Sequence, residues 1–151
     1  MLFRSMTLSG GIIPTFNFSI AGDSDKVDKS FVRDDAKQIV TDTKTHKQYS
    51  DGTPSKMMNH ADALDYCTQM NHAGYEDWRL PSKEEMVSLL ELSRPGVTSK
   101  HAFKNVLEGI YWSSTKDRFE EAWYFDFDLG RYSTQKYEKL YYVFCVRDEG
   151  K

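Results

Sequence analysis

Residues 62–92 read DALDYCTQMNHAGYEDWRLPSKEEMVSLLEL, and the order of parts in that stretch decides the fold. Its first third belongs to an amphipathic helix that is expected to begin at Thr53-Pro54 or Ser55, proline being tolerated in a first turn. Met57, Ala61, Leu64 and Cys67 recur at helical spacing on one face, widened by Ala63 and Met70, while Asp62, Asp65 and Gln69 take the other. Cys67 is therefore expected to point at the core. A tight turn at His72-Ala73-Gly74 follows, with Gly74 read as the helix stop. Ser82-Lys83-Glu84-Glu85 is a capping-box pattern, in which the Ser82 hydroxyl and the Glu85 carboxylate each satisfy an orphan N–H at a helix start. Met86, Leu89 and Leu90 form that helix's apolar face, and Arg94-Pro95-Gly96 ends it.

Working outward, the flanks read as β. Phe31-Val32-Arg33, Gln38-Ile39-Val40 and Lys47-Gln48-Tyr49 are short strand pieces, with turn signals at Asp34-Asp35 and Asp51-Gly52. A long mixed loop covers Val97 to Gly109. Ile110–Thr115 is a short strand. In Ala122–Leu129 the residues Trp123, Phe125, Phe127 and Leu129 alternate with Tyr124, Asp126 and Asp128, predicting a half-buried strand turned by Gly130-Arg131. Tyr141–Arg147, YYVFCVR, is a closing strand too apolar to leave both faces in water. Helices in the first half and strands in the second make an α+β layout.

A chain of 151 residues is expected to form one domain, spanning residues 31–149 behind an arm of residues 1–30. Within the arm, Arg4 and the following SMTLSGGIIPTFNFSIA imitate a secretory signal, but Gly10, Gly11, Pro14 and Asn17 interrupt its apolar centre. The segment thus reads either as a degraded or truncated signal or as an N-terminal arm. No run approaches the roughly 18 apolar residues of a membrane span. Net charge is −3, so no global field draws in DNA, RNA or a sulfated polysaccharide, and only a local basic patch would serve. Aromatics reach 14%, mostly after position 100, which suits either a β-rich core or rings exposed for ligand stacking. Cys67 and Cys145 are the only cysteines and form no CxxC. As a pair closing a long loop they suit an oxidising space; as two buried thiols they suit the cytosol.

Several short motifs then fall in a recognisable order. Val40-Thr41-Asp42-Thr43 is followed by Ala61, Tyr66 and Cys67, then Gly74, Asp77-Trp78-Arg79-Leu80-Pro81 and Glu85. Tyr111-Trp112-Ser113-Ser114, Ala122-Trp123 and Cys145-Val146-Arg147 complete the series. This pattern resembles the family named for the C-terminal domain of Lcl-type collagen-like adhesins, a branch of the C-type-lectin-like fold. The resemblance covers most of residues 31–147. It departs at Lys47 and Tyr49, where the family usually has leucine and tryptophan, and at Met58, usually tryptophan.

The resemblance implies two helices packed on a short antiparallel sheet, with N- and C-terminal strands paired. It also implies a disulfide between Cys67 and Cys145, from the first helix to the last strand. Relatives of this kind act as binding or adhesin domains of extracellular proteins, with glycans the usual candidate ligands. The expectation is thus an exported, non-enzymatic domain without cofactor or metal, recognising a glycan or protein surface without calcium. Two alternatives stay open: a relative of formylglycine-generating enzymes, which needs a reactive cysteine pair, and a structural assembly module of a surface protein.

Individual residues sort accordingly. Trp78, Trp112 and Trp123 are expected to be structural, as is Arg79, whose charge beside two apolar neighbours needs a partner, with Glu85 the first choice. Ser113-Ser114 lacks a G-x-S-x-G elbow or a recognisable histidine partner, and the four histidines lack H-E-x-x-H spacing. Asp126 and Asp128 share a strand face, but the triplets by which C-type lectins hold calcium and sugar are absent. The expected binding surface is Tyr124, Arg131, Tyr132, Lys136 and Tyr137: rings for flat apolar contact, basic groups for acidic substituents.

Overall fold

Strand propensity and turn chemistry over residues 31–50 build a meander. The computed structural model of the protein describes residues 30–92, 102–106 and 108–150. β1 (Phe31–Asp34), β2 (Ile39–Asp42) and β3 (Lys47–Ser50) pair antiparallel in sequence order, and the last strand, β7 (Val146–Asp148), adds to β3. The chain's end therefore closes the sheet that its beginning opened, through β3 rather than β1. A second sheet is formed by β4 (Ile110–Lys116), β5 (Glu121–Asp126) and β6 (Arg131–Lys136), in that order and antiparallel. Between the sheets in sequence lie α1 (His60–Thr68) and α2 (Lys83–Leu92).

The capping box forms as the sequence predicts. Ser82 N–H donates to Glu85 Oε1 at 2.8 Å, and Glu85 N–H donates to Ser82 Oγ at 3.2 Å. Met86, Leu89 and Leu90 are buried on the inner face. The expected stop at Arg94-Pro95-Gly96 and, of the expected arm of residues 1–30, all but Ser30 lie outside the described residues.

α1 departs from its predicted start. It begins at His60, not near Thr53 to Ser55, with Asn59 as cap accepting Asp62 N–H at 2.9 Å. The preceding residues are drawn into extended contact with the chain's far end. Met58 and Tyr141 exchange backbone hydrogen bonds of 2.8 and 3.0 Å, and Ser55 Oγ accepts Val143 N–H at 2.9 Å. Long-range pairing thus overrides a local helical pattern. The buried face is His60, Ala63 and Cys67; Ala61 is exposed and Met57 is 49% exposed. The helix closes at Gln69, and Gly74 serves instead in a two-residue hairpin turn between His72 and Tyr75, where Ala73 and Gly74 both have positive φ, 57° and 84°.

β5 also stops early. Asp126 turns the chain by accepting N–H groups from Asp128 and Leu129 on its carboxylate, at 3.0 and 2.9 Å, so Leu129 ends 63% exposed rather than on the inner face. The closing segment forms a ladder only over its last residues, yet it keeps strand periodicity. Val143 and Cys145 enter one core cluster, with Ile39, Cys67, Trp78, Leu80, Trp112 and Ala122; Phe144 and Val146 enter the other, with Val40, Tyr49, Met86, Leu89 and Phe125. Cys67 and Cys145 are joined by a disulfide that ties α1 to this segment. The alternation of β5 does the same for the second sheet: Ala122 and Tyr124 face the α1 cluster, while Trp123 and Phe125 face the α2 cluster.

One carboxylate organises a whole edge. Asp51 is fully buried, and its oxygens accept backbone N–H groups of Lys104, Asn105 and Val106 at 2.7, 2.9 and 2.9 Å, plus Arg33 Nε at 2.8 Å. The residue that reads as a turn signal is thus the anchor for the segment before β4.

Candidate binding surface

β6 sets which of the expected binding residues meet. Its register against β5 pairs Phe125 with Tyr132, Trp123 with Thr134 and Glu121 with Lys136. Residues directly opposite in an antiparallel pair point to the same face, and neighbours along a strand to opposite faces. Tyr132 and Lys136 therefore share a face with Trp123. Arg131, opposite Asp126, lies on the other face with Tyr124. Tyr137, beyond the strand end, stacks on buried His60 with centroids 5.6 Å apart on that second side. The expected five-residue surface is thus divided by the sheet. The sequence reading placed Tyr124, Arg131, Tyr132, Lys136 and Tyr137 on one surface, and only the formation of paired strands there separates alternate residues.

On the first face the rings are brought together. Tyr132 is 42% exposed, stacks on Phe125 at 4.8 Å and lies 5.8 Å from Trp123. Lys83, in the first turn of α2, places its Nζ 3.8 Å above the Trp123 ring and 5.9 Å from that of Tyr132. A cation over an indole is held by the ring's negative face. Lys83 read only as part of a capping box, and nothing in its spacing from Trp123 signals the contact. Trp123, read as structural, is only half-buried and forms part of this surface. On the second face Tyr124 packs against Tyr141 at 5.1 Å, and the side chain of Arg131 is exposed.

The remaining residues singled out by the sequence sit in packing roles. Trp78 is 3% exposed, with Nε1–H donating to Tyr75 O at 3.0 Å. Trp112 is fully buried and donates to Met58 O at 2.9 Å. Arg79 grips Glu85 with both amino groups, at 2.8 and 2.7 Å, and Lys47 reaches Glu85 and Asp148 at 3.2 and 2.7 Å. Burial alone would raise the Glu85 carboxyl, but the bonds from Arg79 and Ser82 outweigh it and hold its pKa below the ordinary range. The hydrogen bond to Glu85 raises the Arg79 guanidinium in turn.

Ser113 and the two cysteines are otherwise engaged. Ser113 Oγ donates to Trp123 O at 2.9 Å, and His60 Nε2 meets the Ser113 carbonyl oxygen at 2.7 Å rather than the hydroxyl. Both cysteines are consumed in their mutual disulfide. Asp126 is committed to its turn, leaving Asp128 exposed beside it.

Among the described residues, two helices, two antiparallel sheets, a C-terminal strand returning to the N-terminal sheet and a helix-to-last-segment disulfide make an α+β domain with the layout that the family resemblance implies. The chain belongs to the Lcl C-terminal domain family, whose model matches residues 31–147. None of the curated proteins matches the sequence. Among solved structures it is similar to botrocetin (17% identity, 68% of this chain and 91% of that one, TM-score 0.44). It is also similar to the adhesin InvE of Yersinia pseudotuberculosis (19% identity, 67% of this chain, TM-score 0.48), of which the chain spans 32%. A third is EMS16, an antagonist of the collagen receptor integrin α2β1 (14% identity, 68% of this chain and 92% of that one, TM-score 0.42). Among the described residues no helix is long and apolar enough to cross a membrane.

Proposed function

We propose that residues 31–149 form a non-enzymatic, exported binding domain that recognises an acidic glycan through the Trp123–Tyr132 face, without calcium. The observation that carries this reading is Lys83 Nζ stationed 3.8 Å over Trp123 beside the exposed ring of Tyr132, with Lys136 on the same sheet face. Rings offer flat apolar area to the C–H side of a sugar, and the ammonium groups meet sulfate or carboxylate substituents. The disulfide supports export, since such bonds persist in oxidising spaces. With a net charge of −3, attraction for an anionic ligand is local, so affinity falls with salt as exposed charges are screened over about 8–10 Å.

The test is a titration of sulfated and carboxylated glycans against wild type, Tyr132→Ala, Lys83→Ala/Lys136→Ala and Arg131→Ala, with and without chelator. Binding should weaken in the first two variants and persist in Arg131→Ala, which alters the opposite face. Loss of binding on chelation restores the calcium model. Equal affinity in all variants overturns the surface, and binding to protein ligands alone replaces the glycan with a protein partner.

A further inference from the structure

The second sheet has one closed edge and one open edge. On the β4 side, Trp112 N–H donates to Tyr142 O at 3.1 Å, Tyr142 N–H to Ile110 O at 2.9 Å and Ser114 N–H to Pro81 O at 2.7 Å. β6 forms the other border and, among the described residues, pairs with β5 alone. A strand in that position presents N–H and C=O groups on which a further strand can assemble.

β5 fixes which of those groups face outward. Glu121 N–H donates to the Asp117 carboxylate at 3.0 Å and Glu121 O accepts Asp117 N–H at 2.7 Å, so the Glu121 backbone is turned away from β6. Glu121 stands opposite Lys136, which makes theirs a non-hydrogen-bonded pair. The alternation of an antiparallel ladder then points the backbone groups of Tyr132, Thr134 and Lys136 away from β5. Lys136 is already closed: its N–H donates to Gln135 Oε1 at 3.0 Å, and its C=O accepts Lys139 N–H at 3.1 Å. Among the described residues the N–H and C=O groups of Tyr132 and Thr134 take no partner. The side chains along this edge carry one sign of charge. Arg131 and Lys136 are exposed, and neither makes an ion pair or a side-chain hydrogen bond among the described residues. No aspartate or glutamate lies between residues 131 and 137. A second copy of β6 would add cations and no carboxylate to this edge, which like-charge repulsion disfavours.

We infer that the β6 edge takes up an extended, acidic segment of a partner protein as a further antiparallel strand, bonded to the backbone of Tyr132 and Thr134, with carboxylates opposite Arg131 and Lys136. In strand addition the main-chain bonds supply affinity and the alternate side chains supply selection. β-Branched residues suit the positions opposite Tyr132 and Thr134, and opposite charges suit the two ends. The inference does not rest on the glycan reading, because it uses the strand's backbone edge and Arg131 rather than the Trp123 ring.

The experiment is a ¹⁵N-resolved water-exchange measurement on the full chain with the capped peptide glutamate-threonine-valine-threonine-valine-glutamate at millimolar concentration. Its glutamates fall opposite Lys136 and Arg131, and its valines opposite Thr134 and Tyr132. Exchange at the Tyr132 and Thr134 amides should slow by about tenfold at saturating peptide, since protection follows the bound fraction. N-methylation of both valines should abolish that protection, and so should replacing both glutamates with lysine. Arg131→Ala, which leaves the Trp123 face unaltered, should weaken the peptide by about two- to fivefold. Arg131→Glu/Lys136→Glu should reverse the preference towards the lysine peptide. No gain of protection at Tyr132 and Thr134, equal protection by the N-methylated peptide, equal binding of the lysine peptide to the wild type, or protection confined to β1 overturns the inference.

Discussion

Arg79 and Val146 exchange both backbone hydrogen bonds, each 2.8 Å long, so the tryptophan-led segment is laced to the chain's closing stretch. With its backbone fixed in that extended pairing, successive side chains take opposite sides. Trp78 and Leu80 enter the core cluster around the disulfide, and the Arg79 guanidinium goes to Glu85 at the start of α2. One short segment thus joins the closing segment, a core and a helix cap.

Trp78→Ala should cost about 3–5 kcal/mol, the range for deleting a buried aromatic side chain. Trp78 is 3% exposed and also closes the His72–Tyr75 turn through its bond to Tyr75 O. Urea denaturation with an unchanged slope and a lowered midpoint is the expected result.

Asp51→Ala should destabilise by about 3–5 kcal/mol, since it strips a buried acceptor from three N–H groups and from Arg33. Hydrogen exchange reads the local effect: amides of Asn105 and Val106 should lose protection before those of β5. Equal protection at both sites would remove Asp51 from its anchoring role.

Stability should fall in two steps on acidification. His60 is buried and its pKa is held by burial below the ordinary 6.5, so beneath 6.5 the unfolded chain binds more protons than the folded one. Its contribution is full above 6.5 and is lost as pH falls from there towards the folded value. Glu85, held below its ordinary 4.5, adds a contribution that is lost as pH falls below 4.5. Melting temperature followed from pH 8 to 3 should show both declines, and His60→Gln should abolish the upper one alone.

Ala73→Asn should stabilise the domain by about 0.5–1 kcal/mol. Ala73 holds φ 57° at the first central position of a turn that favours Asn-Gly, and Gly74 already supplies the second. A lower melting temperature in this variant would count against the turn geometry.

Reducing the Cys67–Cys145 bridge releases a loop spanning 78 residues, worth about 4 kcal/mol in chain-entropy terms. Melting under reductant should drop by about 10 °C, a shift that Cys67→Ala/Cys145→Ala reproduces without reductant.

The sequence alone determined the features whose causes are local. The Ser82–Glu85 capping box, the apolar face of α2, the three short N-terminal strands and the His72–Gly74 turn were all legible, because each depends on residues a few positions apart. The family pattern added the layout and the cysteine pairing, carried by Trp78-Arg79-Leu80-Pro81 and the closing cysteine motif. Tertiary structure decided whatever depends on distant partners. Tyr141 and Val143 hold Met58 and Ser55 extended, so α1 starts later than its periodicity suggests. The β5–β6 register sends Tyr124 and Tyr132 to opposite faces, because side chains alternate along a strand and composition does not record which residues are strand neighbours. Lys83 meets Trp123 across 40 positions of chain. Backbone hydrogen bonds and hydrophobic burial fix those approaches, and both act through space rather than along the sequence.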